Sequence, residues 1–270
     1  MSRPSQTLRQ VVDDALPVLY AVAYQMSGTR AYALERLREV MHDVARTGGA
    51  AVLAATKPGD ALLSQLARHI EEALGRKAVQ SFQILDDILR DDITQPIDLD
   101  IEGIDGDPRR VHPLLWELKR TCLTSVLGCL PPGVRISFIL TDLLGYSPSA
   151  SAELLGINES AYRVRLTRAR KRLENYLTPR CQHIDKQNPC NCEGRLSVAL
   201  DKGFISFPPH LDDIPHTPHV SDVEHREMGS LYRSLPRITL SPAEREELLD
   251  LASVAEADSE PELDSAAGEN

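Results

Sequence analysis

The chain has 270 residues, a formal net charge of −10, 42% hydrophobic and 26% charged residues, a balance that fits folded helical or mixed units and argues against a disordered chain. Aromatic residues make up only 4%, with Trp116 the single tryptophan, so a core must rest on Leu, Val, Ile and Ala, which suits packed helices better than a β-sandwich. No apolar run approaches the roughly 20 residues that span a bilayer, and "MSRPSQTLRQVVDDAL" lacks a secretory layout, so the expectation is a cytoplasmic protein without membrane insertion.

From Leu8 to Met26 the apolar positions Val11, Val12, Ala15, Leu16, Leu19, Val22 and Ala23 recur at helical spacing, with Pro17 expected to kink or divide the helix. After the turn "SGTR", a second helix is expected over 31–45 through Leu34, Leu37, Val40, Met41 and Val44. "GGAAVLAATKPGD" reads as a loop. One long helix is expected from Ala61 to about Leu89, with Leu62, Leu66, Ile70, Ala73 and Leu74 on one face. These three helices predict a small bundle over residues 1–90.

The stretch "DDITQPIDLDIEGIDGDP" carries no positive charge and reads as an acidic linker over 91–109. Helical periodicity returns from about Val111 to Leu130, in a segment where Cys122 and Cys129 are expected as buried free thiols. "LPPGVRISFILTDLLGYS" predicts a turn, a helix and another turn. Ser147 before Pro148 is a helix start, Gly156 sits at the C-terminal cap position, and Asn158 can cap the helix that follows. A short helix, a glycine-containing turn and a longer helix form the helix-turn-helix layout, placed in a second unit at 110–178.

That longer helix lies in "LGINESAYRVRLTRARKRL" and gathers six cations in an acidic chain. Taken alone, a charge run reads as a solvated face. Here the preceding helix and turn, and a sign opposite to that of the whole protein, point to a surface that meets phosphate. A helix entering a major groove needs N-terminal side chains at base edges and cations on phosphate. The candidates for contact with DNA are Asn158, Ser160, Tyr162, Arg163, Arg165, Arg168, Arg170, Lys171 and Arg172. Among them Arg163, Arg165 and Arg168 are expected on bases or phosphate and Arg170 and Arg172 on phosphate, with charge reversal at Arg165 expected to abolish binding.

Beyond Arg180 the composition becomes Cys-, His- and Pro-rich over 179–236. Five cysteines, an odd number, argue against a simple disulfide framework. Cys181, His183, Cys190 and Cys192 supply four borderline or soft ligands in the pattern C-x-H-x6-C-x-C. Two readings stand: a zinc or other soft-metal site, or a reduced surface loop with no cofactor required. His210, His216, His219 and His225 are expected to be solvated. A last helix is expected at "SPAEREELLDLA", with Ser241 and Glu244 as a capping box and Pro242 at the first position. Residues 237–270 then end in an acidic tail, read as disordered from Glu256. Its charge complements the arginine helix, so the extension is expected to fold back on it.

The segment "LPPGVRISFILTDLLGYSPSASAELLGINESAYRVRLTRARKRL" resembles region 4 of extracytoplasmic-function sigma factors, bacterial initiation factors of RNA polymerase. The shared pattern comprises Leu130, Pro131, Pro132 and Arg135; Asp142 and Gly145; Ala152, Glu153, Leu155, Gly156 and Ile157; and the closing Arg165, Leu166, Arg168, Ala169, Arg170 and Leu173. Ser151 and Tyr162 depart from it. "LYAVAYQMSGTRAYALERLREVM" looks like region 2, through Leu19, Ala23, Gly28, Arg30, Ala31, Glu39 and Val40. The resemblance implies a polymerase-binding surface at Glu35, Arg38 and Glu39. Region 2 is degenerate: Tyr32 and Leu34 replace acidic positions, Leu62 or Leu63 stands where an aromatic is expected, and Glu71 and Glu72 bring negative charge where cations are usual. Capture of an open strand depends on stacking platforms and cations, of which this helix is short.

The resemblance implies an all-α protein of two small helical domains, with core RNA polymerase, promoter DNA and an anti-sigma factor as partners. It further implies promoter-specific initiation, regulated by the Cys-rich extension. The alternative is a sigma-like adaptor that binds DNA or polymerase without opening promoters. An ordinary dimeric helix-turn-helix repressor is a third reading. No phosphate-cradling glycine loop or nucleophile motif supports an enzyme.

Overall fold

The computed structural model describes residues 6–91, 108–206 and 227–257. Within them the regular structure is helical throughout, and the only β-type pairing is an isolated bridge between Cys181 and Cys190. The fold is all-α. Helix α1 (Leu8–Ser27) opens at Thr7, whose hydroxyl accepts from the Gln10 N–H while the Gln10 side chain accepts from the Thr7 N–H. Pro17 lies inside α1 without dividing it. A proline removes one helical hydrogen bond, but Leu16, Leu19 and Tyr20 on either side are fully buried and hold the helix as one element. Gly28, at φ +86°, ends it.

Helix α2 (Arg30–Arg46) follows from a Thr29 cap, and a short α3 (Ala50–Leu53) forms where only a loop was expected. The long helix expected to run to Leu89 is two helices. Helix α4 (Pro58–Leu74) stops at Gly75, whose φ of +71° costs a glycine little. Helix α5 (Phe82–Asp91) starts afresh with Ser81 accepting from the Ile84 N–H. The reason is a change of partner: α4 packs on α1 and α2, whereas Leu85 of α5 belongs to a different core and Phe82 stacks at 4.6 Å on Tyr176.

Past the acidic linker, most of which lies outside the described residues, come α6 (Pro108–Gly128) and α7 (Pro132–Phe138). A wide π-type turn over Ile139–Leu143 prolongs α7. Then follow α8 (Pro148–Leu154), α9 (Glu159–Leu177), α10 (Leu196–Asp201), α11 (Met228–Arg233) and α12 (Pro242–Ala257). The extension, expected to be largely irregular, is helical in these places because its apolar residues find cores. Met228, Leu231 and Tyr232 of α11 pack with Phe138, Leu173 and Tyr176, and Leu196 and Ala199 of α10 pack with Leu114, Leu115 and Trp116 of α6. His210, His216, His219 and His225, and the acidic tail from 258 on, lie outside the described residues.

The two units on either side of the linker share a core. Ile136, Ile139, Leu140 and Leu154 join Leu16, Leu37, Leu62 and Ile70 of α1, α2 and α4. Ser64 donates to the Leu154 carbonyl at 2.7 Å, and the Tyr146 hydroxyl donates to Asp60 at 2.9 Å. Arg135 is 1% exposed and donates to the carbonyls of Met26, Gly128 and Leu130. Burial lowers its pKa to about 10, far above neutrality, so it stays charged.

Helix α12 does not fold back on the arginine helix. It lies on α1 and α2, with Leu248, Leu249 and Ala252 buried in their core. Its expected capping box is present: the Ser241 N–H donates to Glu244 at 2.8 Å and the Glu244 N–H to Ser241 at 3.3 Å. Glu244 also receives Arg30. Burial alone would raise its pKa, but the hydrogen bonds from Arg30 and Ser241 outweigh it and hold the value at about 2, against an ordinary 4.5. Arg38 lowers Glu247 in the same sense. Depressed carboxyl values stabilise the docked helix above the unfolded pKa and lose that effect as pH falls toward the folded one. The protection of α12 amides, corrected for the intrinsic exchange rate, is therefore expected to drop between about pH 4.5 and pH 2 before that of α1 does, and a uniform drop would contradict this attachment.

Candidate nucleic-acid interface

The pair α8–α9 is set by local chemistry. Ser147 caps α8 by accepting from the Ala150 N–H at 3.2 Å, and Pro148 fills the first turn. Gly156 turns the chain at φ +64°, and Asn158 caps α9 by accepting from the Ala161 N–H at 2.7 Å. Along α9 the buried residues are Tyr162, Leu166, Ala169, Leu173, Tyr176 and Leu177, recurring mainly every three or four positions. One stripe is thus sealed, and the opposite face is left to water.

That open face carries Ser160, Arg163, Arg168, Lys171 and Arg172, all exposed, with Asn158 exposed at its start. Arg163 pairs with Glu159 of its own helix, at 2.7 Å, an exposed contact of small worth that leaves it available. Among the described residues no carboxylate lies within ion-pair distance of Arg168, Lys171 or Arg172. Uncompensated cations on one helix face are what counterion release from a phosphate backbone requires.

Three of the nine candidates sit elsewhere. Tyr162 is fully buried, its hydroxyl donating to the Ser137 carbonyl at 2.8 Å and bonded to Thr141 at 2.7 Å. It belongs to the packing of the helix pair rather than to its open face. Arg165 and Arg170 flank the buried stripe and so meet carboxylates of neighbouring elements. Arg165 is half-buried against Gly133 and 3.7 Å from Glu71 of α4. Reversing its charge would therefore disturb the seam between the two units as well as any contact with DNA. Arg170 is held by both oxygens of Asp142 at 2.9 Å, and Arg233 of α11 donates to the Asp142 carbonyl.

Charge by itself does not single out Val164 and Thr167. Val164 is 55% exposed and shares a shallow concavity with Ser160, Arg163, Thr167 and Arg168. An exposed branched apolar side chain amid cations suits the methyl group of a thymine in the major groove. Val164→Ala removes two methyl groups, worth roughly 0.8 kcal/mol each if fully used. Discrimination at one base pair is expected to fall by up to about fifteenfold with little change in the salt dependence, measured by binding to single-base variants of a DNA site.

Glu35, Arg38 and Glu39 all lie on α2. Glu35 and Glu39 pair with Arg36 at 2.8 and 2.7 Å, and Glu39 also contacts His69. Arg38 is engaged by α12, donating to both oxygens of Glu247 at 2.7 and 2.8 Å.

In the extension, backbone bonds from Gln182 to Cys190 (3.1 Å) and from Cys190 to Arg180 (2.9 Å) place Cys181 beside Cys190. His183, 2% exposed, has Nε2 3.3 Å from Cys192 Sγ. Cys122, on α6, lies close enough to feel Cys181, Cys190 and Cys192 electrostatically, a neighbour that its distance in sequence hid. Burial pushes the Cys181 thiol up to about 11 and lowers buried Lys119 beside it to about 8. Among the described residues no three His, Cys, Asp or Glu side chains are arranged to hold a metal ion.

Residues 120–173 match the family described as Sigma-70, region 4. No curated protein and no solved structure matches the chain. No helix among the described residues is long and apolar enough to cross a membrane. The matched residues include the end of α6, the buried Arg135, the helix pair and the cationic face of α9. Residues 120–173, which hold the helix pair and the cationic face of α9, are thus similar to a sigma-70 region 4 module.

Proposed function

We propose that this protein is a sigma factor of the extracytoplasmic-function type, which binds core RNA polymerase and brings α9 to promoter DNA. The observation that carries the reading is the face of α9 on which Arg163, Arg168, Lys171 and Arg172 stand exposed opposite a sealed apolar stripe. Insertion of that face into a major groove puts Ser160, Arg163 and Val164, nearest its N-terminus, at base edges and leaves the later cations for phosphates. Polymerase binding is assigned to α2, around Glu35, Arg38 and Glu39, and regulation to the extension.

A second reading, a sigma-like adaptor that does not open promoters, draws support from the engagement of Arg38 by Glu247 and from the acidic Glu71 and Glu72 on α4. Co-elution of the purified chain with core polymerase, followed by transcription from the promoter region upstream of its own gene, separates the two. Promoter-specific transcripts are expected. Co-elution without transcripts would favour the adaptor, and no co-elution would sink the polymerase reading altogether.

A further inference from the structure

We propose that the α1–α2 face is a docking surface for an acidic amphipathic helix, and that α12 occupies it in cis until polymerase displaces it. The inference rests on the assignment of polymerase binding to α2. Its basis is the way α12 is attached. Although its sequence lies some two hundred residues beyond α2, it packs along both α1 and α2. Leu248, Leu249 and Ala252 are buried in the seam, with Ile238, Leu240 and Leu251 partly buried against the same core. By contrast, eleven of the twenty residues of α1 are buried.

Around that seam the contact is ionic, and nearly all of one polarity. Arg9 meets Glu246 and Asp250, Arg30 meets Glu244, and Arg38 meets Glu247, while Arg245 reaching Asp13 runs the other way. The α1–α2 face therefore presents a row of arginines beside an apolar strip, the complement of an acidic helix carrying a leucine pair. Each ionic contact is at least partly open to water, and such pairs contribute little individually and weaken with salt. A helix held by a short apolar seam and an exposed ionic rim opens at lower cost than one whose stripe is fully sunk. Arg38, engaged by Glu247, is also a residue assigned to polymerase, so both partners cannot hold it at once.

The test uses the full chain and core RNA polymerase, with binding and hydrogen exchange measured on the wild type and on Glu244→Lys/Glu247→Lys, which sets like charges against Arg30 and Arg38. In the variant, exchange over 242–257 is expected to quicken while α4 is unchanged, and polymerase affinity is expected to rise at least tenfold. On the wild-type complex, α12 is expected to lose protection as α2 gains it. Persistent protection of α12 in that complex would overturn the proposal. So would a variant with a loosened α12 and unchanged polymerase affinity. If the charge changes fail to loosen α12, Leu248→Asp places a charge in the seam and is read the same way. Binding of neither wild type nor variant would overturn the polymerase reading and this inference with it, a result distinct from equal binding of both, which would overturn the inference alone.

Discussion

Replacing Arg163 and Arg168 together by glutamate is expected to lower affinity for promoter DNA by about two orders of magnitude or more near 0.15 M salt, and to flatten the salt dependence. Both side chains stand on the open face of α9, and neither supports the core, so the fold is expected to survive. Every phosphate that a cation no longer neutralises reduces the slope of log affinity against log salt by roughly 0.9, so removal of two cations shifts it by nearly 2. Binding measured across a salt series checks this, with circular dichroism as the control for folding. An unchanged slope would mean that these cations do not face phosphate. The same substitution at Arg170 is a poor test, because it would break the ion pair with Asp142 that ties α9 to the turn after α7.

Arg135→Ala is expected to destabilise the protein by roughly 3–5 kcal/mol, because three carbonyls lose their donor at about 1–3 kcal/mol each. Its guanidinium satisfies carbonyls at the end of α1 (Met26) and at and just beyond the end of α6 (Gly128 and Leu130). Helix C-termini leave carbonyls without partners and favour a cation. One side chain thus caps helices from both sides of the linker, and its removal strips both caps at once. Urea unfolding gives the magnitude, and faster exchange at the C-terminal ends of α1 and α6 is expected to accompany it. A destabilisation below about 1 kcal/mol would show that water replaces the guanidinium without difficulty. Arg135→Lys keeps the charge but offers one donor centre rather than a fork, so partial rescue is expected.

Features governed by neighbours along the chain are legible in the sequence. Ser147 with Pro148, Asn158, and Ser241 with Glu244 cap helices as their order predicts, because the bonds involved span three residues or fewer. The turn at Gly156 and the stripe of Leu166 and Leu173 follow from a positive φ and a helical period. The break at Gly75 is not legible, because apolar residues on both sides of it fit one helical phase. The difference between α4 and α5 lies in the cores they join. Nor could charge alone sort the arginines of α9. Arg165 and Arg170 look like their neighbours until Glu71 and Asp142 are brought against them from other elements.

An all-α fold, a helix-turn-helix with a basic second helix, and a capped helix near the end of the chain can be read from residue order alone. All of these rest on short-range periodicity and on the chemistry of helix ends. Which cations of α9 remain open to solvent, how the two units share a core beside Arg135, and where α12 lies depend on packing between elements far apart in the chain. An acidic helix had two basic surfaces to choose from. Charge favoured α9, but α9 has its apolar stripe already filled, whereas α1 and α2 offered an apolar seam for Leu248 and Leu249 beside their arginines. Apolar burial, at roughly 1.5–3 kcal/mol per leucine, outweighs exposed ion pairs worth at most about 1 kcal/mol each, and it is settled only when the chain has packed.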